Sequence, residues 1–362
     1  MPDGTPKHLS ALQKCYDYIA DNGMDSFLTE HQNDPPADDA DSARLGLTEY
    51  HIQQQRLSGL ERRVVPGESI LITRGMDVRK TELHYAAIAW TLQGAGYIID
   101  YSTWRLGTED MAAADCEVEI LKGLRNWKAW SEENPYCKEG GEIVDVGLTL
   151  IDMGWKDEHW NSQPVQVFCA EAGREFLPSK GTPNYRRPSQ SDRKVIGDHW
   201  HIEFPDPFVS MNADHWKLKV HEGFLLEPGQ AGSLVLFNHP IVDGRAQRNY
   251  HVVYSKHILA EVWEPRIKPG FKHPETKWWH SGRPNHYFDA TYAAFVARSV
   301  KGLNPVRQPG KVLAKPQAVQ SVPATVKTSD EQVARQPAPS KPVPQVQQPR
   351  SVPQRRRVTF RR

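Results

Sequence analysis

The chain has 362 residues, of which 38% are hydrophobic and 25% charged, which suits one sizeable globular domain with flanking segments. Its formal net charge of +1 hides an acidic stretch at 33–41 and a basic C-terminal end, and a basic end favours polyanionic partners. The four cysteines are widely spaced, which argues against a structural zinc site and a disulfide framework. No apolar run approaches the about 18 residues of a membrane span, so we expect a soluble cytoplasmic protein without a membrane partner.

Composition divides the chain into a segment 1–66, a central region 67–303 and a tail 304–362. In the first segment, apolar spacing predicts helices at 9–20 and 48–63 around a polar loop. Such a segment buries little apolar surface by itself, so we expect a helical linker or docking arm. The tail is rich in Pro, Gln and Arg without periodicity, and we expect it to be disordered.

The central region alternates between strand-like and helix-like patterns. In chain order these predict strands at 69–73, 82–91 and 97–101, a helix at 112–130, a strand at 143–151, a helix at 163–172 and a strand at 175–177. Three strands, helix, strand, helix, strand is the order of the ribonuclease H-like fold, an α/β fold whose mixed sheet places the first strand beside the fourth.

A β-rich insertion is predicted after this core, before a last helix at 287–300. Apolar and polar residues alternate at 200–204, 216–220 and 233–237, and such alternation is typical of half-buried strands.

Two of the predicted strands run into an aspartate. The run ILITRGMD ends at Asp77 and the run LTLID ends at Asp152, and both are followed by small or turn-forming residues. If these are the first and fourth strands, their carboxylates lie close enough to share a cation. A third acid, Asp289, begins the last predicted helix. Taken singly, each acid is more commonly a turn or cap residue, so the joint pattern carries the hypothesis.

Three converging carboxylates suit phosphodiester hydrolysis, which develops negative charge on the attacking and leaving oxygens. Two divalent ions roughly 4 Å apart can bind both oxygens and activate a water molecule. Carboxylate sites of this kind favour Mg²⁺ or Mn²⁺, and the cations also relieve the repulsion between the acids. The pattern therefore predicts Asp77, Asp152 and Asp289 as catalytic, metal-binding residues.

Short motifs in a fixed order carry a resemblance to a known family. They are FLTEHQNDP at 27–35, GMDV at 75–78, IIDY at 98–101, IDMG at 151–154, SKG at 179–181 and NHYFD at 285–289. Together they resemble the linker and nuclease domain of the lambda-like phage terminase large subunit family. The resemblance implies a metal-dependent endonuclease that cuts double-stranded concatemeric DNA during genome packaging in the bacterial host cytoplasm. It also implies three partners besides DNA: a small terminase subunit, a packaging ATPase and a portal.

The resemblance assigns the metal-binding catalytic acids to Asp77, Asp152 and Asp289. Asp100 and Asp145 are interpreted instead as strand residues that point to solvent or a turn, and Lys180 either contacts a phosphate or lies in a solvated loop. The family also carries a packaging ATPase, but the sequence contains no G-x-x-x-x-G-K-[ST] phosphate loop. We therefore expect the motor on a separate polypeptide, or a fragment or decayed gene.

Other interpretations remain open at this stage. A resolvase or transposase-type nuclease of the same fold shares the acidic triad, and a non-catalytic DNA-binding or docking module shares the fold without the chemistry. His199 and His201 could ligate zinc from one strand face, and Trp278 and Trp279 could stack on a base, although packing is the commoner role of both pairs. The cationic end RRRVTFRR is either a solvated linker or a non-specific DNA tether.

Overall fold

The computed structural model describes residues 10–22, 46–107, 110, 112–154, 163–183, 185–189, 194–266 and 275–303. The predicted polar loop at 33–41, the motif at 27–35 and the tail 304–362 with its cationic end lie outside the described residues.

The described residues form six α-helices, a π-helical turn and sixteen strands. The helices are α1 (Ala11–Asn22), α2 (Ala113–Glu133), α3 (Gln163–Ala172), α4 (Ala213–Leu225), α5 (Val252–Ile258) and α6 (His286–Val300), and a π-helical turn covers His51–Gln55. The strands are β1 (Val64–Val65), β2 (Ser69–Val78), β3 (Glu82–Thr91), β4 (Gly96–Arg105), β5 (Tyr136–Lys138), β6 (Ile143–Val144), β7 (Val146–Asp152), β8 (Phe176–Thr182), β9 (Lys194–Gly197), β10 (Trp200–Glu203), β11 (Phe208–Asn212), β12 (Leu234–Leu236), β13 (Ile241–Val242), β14 (Arg245–Ala246), β15 (Glu261–Arg266) and β16 (Glu275–His280). None of these helices has the length and apolar character needed to cross a lipid bilayer.

A nine-stranded mixed sheet, in the order β12-β4-β3-β2-β7-β8-β11-β10-β9, forms the centre of the fold. Strands β2, β3 and β4 are antiparallel neighbours, whereas β7 pairs in parallel with β2 and β8 in parallel with β7. The prediction that the first long strand lies beside the fourth is confirmed. The predicted insertion extends the sheet at both ends, because β11, β10 and β9 follow β8 while β12 pairs with β4.

Helix α6 lies directly against β2. A Cβ atom at Gly75 would lie 2.0 Å from the carbonyl oxygen of Ala290 and 2.7 Å from Cβ of Ala293, so glycine is what permits this approach. Two residues before Gly75, the Thr73 hydroxyl donates to the carbonyl of Ala294 at 2.7 Å. Because side chains alternate along a strand, Asp77 belongs to the same face of β2 as Thr73 and Gly75.

The opposite face of β2 packs against α2 and α3. Met76 and Val78 belong to a buried apolar cluster with Leu124 and Trp127 of α2 and Phe168 of α3. The sheet is therefore flanked by helices on both faces, as an α/β fold requires.

The predicted helix at 48–63 is wrong beyond Gln55. The π-helical turn ends there, and residues 56–63 are not helical, with positive φ at Gly59 (86°) and Arg63 (71°). Tertiary hydrogen bonds account for the difference, since Arg56 donates from Nε to the Phe224 carbonyl at 2.7 Å. Such bonds override a modest local helix propensity.

The predicted strand at 216–220 is also wrong, because these residues lie in α4. Trp216, Val220 and Phe224 recur every four residues and are all buried, which is the periodicity of a helix face. Asn212 caps the helix, and its side chain accepts a hydrogen bond from the His215 backbone N–H at 3.1 Å.

Candidate active site

The neighbouring strands β2 and β7 bring two of the predicted acids together. Met76 of β2 is in register with Ile151 of β7, so the residues that follow, Asp77 and Asp152, emerge side by side at the same edge of the sheet. The parallel pairing produces this arrangement, because the carboxyl ends of parallel strands lie at the same edge of the sheet.

The third predicted acid, Asp289, lies in the first turn of α6. Since α6 crosses the face of β2 that carries Asp77, all three acids line one cleft of about 670 Å³. The cleft is completed by basic, aromatic and small residues and a further acid, among them Arg79, Gly154, Gly181, Lys217, Trp263, Lys277, Trp278, Tyr292 and Glu261.

Burial and mutual repulsion perturb the acids of the cleft. Burial, with a further contribution from the charge of Asp77, raises the pKa of Asp152 to about 8, although the Gly154 backbone N–H donates to its Oδ1 at 3.1 Å. Burial likewise raises the pKa of Asp289 to about 6, with Lys217 acting in the opposite direction. The buried Oδ2 atom of Asp77 accepts no hydrogen bond. A crowded, incompletely paired set of carboxylate oxygens fits a divalent cation.

Sequence reasoning missed a lysine and a glutamate in the cleft. The Lys217 ammonium of α4 lies 2.7 Å from Oε1 of Glu261 and 3.1 Å from Oδ1 of Asp289. The Asn285 amide donates to Glu261 at 2.6 Å and to Oδ2 of Asp289 at 3.0 Å. No local motif marks Lys217 or Glu261, because only the packing of α4 and β15 against α6 brings them to Asp289.

Two histidines adjoin Asp77. Nδ1 of His286 lies 2.9 Å from Oδ2 of Asp77, but the alignment is not that of a hydrogen bond, so both atoms remain without one. Among the described residues, Asp77, His84 and His286 form a group whose ligand atoms all lie within 4.8 Å of one another. Burial, together with the neighbouring His286, lowers the pKa of His84 to about 3.

Asp100 does not point to solvent or a turn, so that prediction is wrong. Its side chain is fully buried on β4 and forms ion pairs of 2.6 Å with both Arg62 and Arg63. The hydroxyls of Tyr85 and Tyr136 donate to its Oδ2 at 3.3 and 3.2 Å. The carboxylate can be buried here because two guanidinium groups neutralise it, and it lies outside the cleft lining.

Asp145 is exposed to solvent, as predicted, but it lies between β6 and β7 and not within a strand. Lys180 is exposed on β8, and its neighbour Gly181, rather than Lys180 itself, lines the cleft.

His199 and His201 do not share a strand face. His199 lies in the turn before β10, with a φ of 53°, and stacks on His215 at 3.6 Å between ring centroids.

The two tryptophans have different positions. Trp278 lines the cleft, and its indole N–H donates to the carbonyl of Asp214 at 3.1 Å. Trp279 donates from Nε1 to the carbonyl of Glu264 at 2.9 Å, within the β15–β16 ribbon. Of these two tryptophans, Trp278 is therefore the one placed to meet a ligand in the cleft.

A mixed sheet that gathers several carboxylates in one cleft beside a helix is typical of metal-dependent phosphodiester hydrolases. Residues 39–309, well over half of the chain, match the family model described as terminase large subunit gpA, endonuclease domain. The chain therefore belongs to the family of terminase large subunit endonuclease domains. No curated protein and no solved structure matches it.

Proposed function

We propose that the chain is a divalent-cation-dependent endonuclease that cuts double-stranded concatemeric DNA during phage genome packaging. One observation carries this proposal: Asp77, Asp152 and Asp289, far apart in the sequence, line a single cleft in a member of a terminase endonuclease family. The strand order β4-β3-β2-β7-β8, with β2 antiparallel to β3 and parallel to β7, supports a ribonuclease H-like fold.

The three acids would hold Mg²⁺ or Mn²⁺ and would supply all or part of the ligands of a two-metal site. When bound, the cations activate a water molecule and stabilise charge on the scissile phosphate. The protein's own groups prepare this site. The Gly154 N–H orients the Asp152 carboxylate, while Lys217 and Asn285 hold the Asp289 carboxylate in the first turn of α6.

Basic and aromatic side chains at the cleft would contact the DNA backbone. Arg79 is exposed two residues beyond Asp77, and the β15–β16 ribbon contributes Lys277 and Trp278 to the same cleft. Cations of this kind position a duplex but carry little sequence information. Selection of a cutting site would then fall to a small terminase subunit. Translocation would fall to a packaging ATPase at a portal, since the sequence has no phosphate-loop motif.

Plasmid cleavage tests the proposal. We expect the purified chain to nick or linearise plasmid DNA with Mg²⁺ or Mn²⁺ and to stop when a chelator is added. Asp77→Ala and Asp152→Ala should each lower the rate about a thousandfold, since metal stabilisation of the transition state is worth several kcal/mol. Asp145→Ala is the matched control, because Asp145 is an exposed acid outside the cleft.

Three outcomes would contradict the proposal in different ways. Cleavage that survives both substitutions would remove the acids from the chemistry. A strong preference for branched over linear DNA would favour a resolvase. DNA binding without cleavage under any divalent cation would favour a non-catalytic docking module.

A further inference from the structure

Beside Asp77 lies a second group of potential metal ligands, whose histidines are not among the residues that line the cleft. Asp77 of β2 and His84 of β3 are directly opposite each other in the antiparallel register, and His286 begins α6 above them. We propose that Asp77, His84 and His286 form a metal site of their own, which takes a transition ion such as Mn²⁺, Co²⁺ or Zn²⁺ in preference to Mg²⁺.

Unpartnered buried atoms are the first argument for this site. Nδ1 of His84, Nδ1 of His286 and Oδ2 of Asp77 are all buried, and none takes part in a hydrogen bond. The residues Asp77 and His84 are 4% and 5% exposed. Buried polar atoms are nearly always hydrogen-bonded, so this group calls for a ligand. Nδ1 of His286 and Oδ2 of Asp77 lie 2.9 Å apart, a separation that two ligands of one cation can have. A cation that accepts three lone pairs is a suitable one, because ligand atoms of this group all lie within 4.8 Å of one another.

The kind of ligand atom indicates which cation the site would bind. Two imidazole nitrogens and one carboxylate oxygen suit Mn²⁺, Co²⁺ and Zn²⁺, whereas Mg²⁺ prefers oxygen ligands and retains its water molecules. The histidines do not line the cleft, and Asp77 is the residue that belongs both to this group and to the cleft. The two sets of ligands therefore differ in kind, with carboxylates in the cleft and mainly imidazoles in the second group.

The surroundings of His84 support a ligand role. Its other ring nitrogen, Nε2, lies 3.5 Å from Oε2 of Glu82, two residues earlier on the same strand. A carboxylate beside the second nitrogen of a histidine ligand is the usual outer arrangement in metal sites, because it orients the ring and raises its basicity. The ligands also come from β2, β3 and α6, which are elements of the central sheet and its covering helix, so the geometry is fixed by the fold.

Pulsed electron paramagnetic resonance with Mn²⁺ tests the site, because imidazole ligands give the spectrum a nitrogen hyperfine coupling that carboxylates do not give. We expect this coupling in the wild-type chain and its persistence in excess Mg²⁺. His84→Ala and His286→Asn should each abolish it. Glu82→Gln should retain the coupling but weaken Mn²⁺ affinity about tenfold to a hundredfold, as expected for an outer partner of a ligand.

Two controls separate this site from its neighbours. His257→Gln removes a third imidazole, 5.7 Å from His286 between ring centroids but outside the ligand group, and should leave the coupling unchanged. Asp152→Asn removes an acid of the cleft, so it should abolish DNA cleavage while the nitrogen coupling remains. Loss of cleavage and loss of the histidine site are thereby distinguishable.

We expect the His286→Asn variant to fold, because the His286 side chain is 18% exposed and an asparagine is tolerated at the start of a helix. Circular dichroism checks that each variant is folded. The proposal is overturned if Mn²⁺ bound to the folded wild-type chain shows no nitrogen coupling. It is equally overturned if the coupling survives both histidine substitutions, or disappears in His257→Gln.

Discussion

Asp100 and the acids of the cleft differ in how completely their charges are neutralised. Asp100 on β4 is fully buried, and its two oxygens receive ion pairs from Arg62 and Arg63 and hydrogen bonds from Tyr85 and Tyr136. At the ends of β2 and β7, by contrast, carboxylates crowd together with few compensating cations.

At Asp100, interactions within the protein therefore compensate the free-energy cost of burying the charge. At the cleft they do so only in part. Around Asp100 every charge has a partner, which is the arrangement of a structural tie between the segment before β1 and the sheet. At the cleft, burial and neighbouring charge raise the pKa of Asp152 and of Asp289, and Oδ2 of Asp77 accepts no hydrogen bond. An acid cluster that the fold neutralises only in part is suited to bind a cation from solution.

The largest expected effect on stability is at the neutralised site. Asp100→Ala leaves Arg62 and Arg63 without their carboxylate, and removing one partner of a buried ion pair costs about 3–5 kcal/mol. Urea unfolding of the variant should show this loss. Asp145→Ala, at an exposed acid, should change the free energy of unfolding by less than about 0.5 kcal/mol. If both variants unfold alike, Asp100 is not a structural tie.

A smaller effect is expected where α6 meets β2. In Gly75→Ala, the new methyl group would lie 2.0 Å from the carbonyl oxygen of Ala290, so the helix must shift. We expect a loss of about 1–3 kcal/mol, as for other overpacked sites, together with slower DNA cleavage because Asp289 moves with the helix. Gly67→Ala is the control, since a Cβ there meets nothing within 4 Å. Unchanged unfolding and cleavage in Gly75→Ala would show that the contact does not position Asp289.

The smallest expected effect on stability comes from His251, a buried side chain that is neutral in the folded protein. His251 is buried, with its Nδ1 2.7 Å from the Tyr101 hydroxyl and its Nε2 3.0 Å from the Phe237 carbonyl. Burial, together with His239, lowers its pKa to about 4. The unfolded chain therefore binds a proton first as the pH falls below about 6.5, so the folded state loses stability between that pH and about 4.

Unfolding measured across this pH range checks the prediction. His251→Gln should reduce the dependence of the unfolding free energy on pH by up to about one proton. An unchanged slope in His251→Gln would mean that this residue is protonated in the folded state.

Much of the fold was accessible from periodicity, but the surroundings of the acids were not. The patterns predicted β3 and α3 with the bounds that the structure has, and the apolar runs before Asp77 and Asp152 predicted neighbouring strand ends. Local patterns failed where tertiary contacts dominate. The alternation at 216–220 indicated a strand, although the spacing of Trp216, Val220 and Phe224 fits α4 equally well.

The partners of the acids depend on chain segments far apart in the sequence. Lys217 meets Asp289 only because α4 packs near α6, and Asp100 is buried only because two arginines from the preceding segment reach it. A sequence pattern records the residue type at each position but not the neutralising charge across the fold. For this reason Asp100 was assigned to solvent or a turn, and Lys217 was not singled out.

The most direct test measures the free energy of unfolding of the wild-type chain and of Asp152→Asn, each with and without Mg²⁺, the cation that the histidine site does not favour. Without a cation, relief of repulsion should make Asp152→Asn the more stable protein. With Mg²⁺ at about a hundredfold its dissociation constant, the wild-type chain should gain about 2.7 kcal/mol from the cleft and the variant distinctly less. A variant that is less stable without the cation, and gains as much as the wild type with it, would contradict an acid cluster built to bind metal.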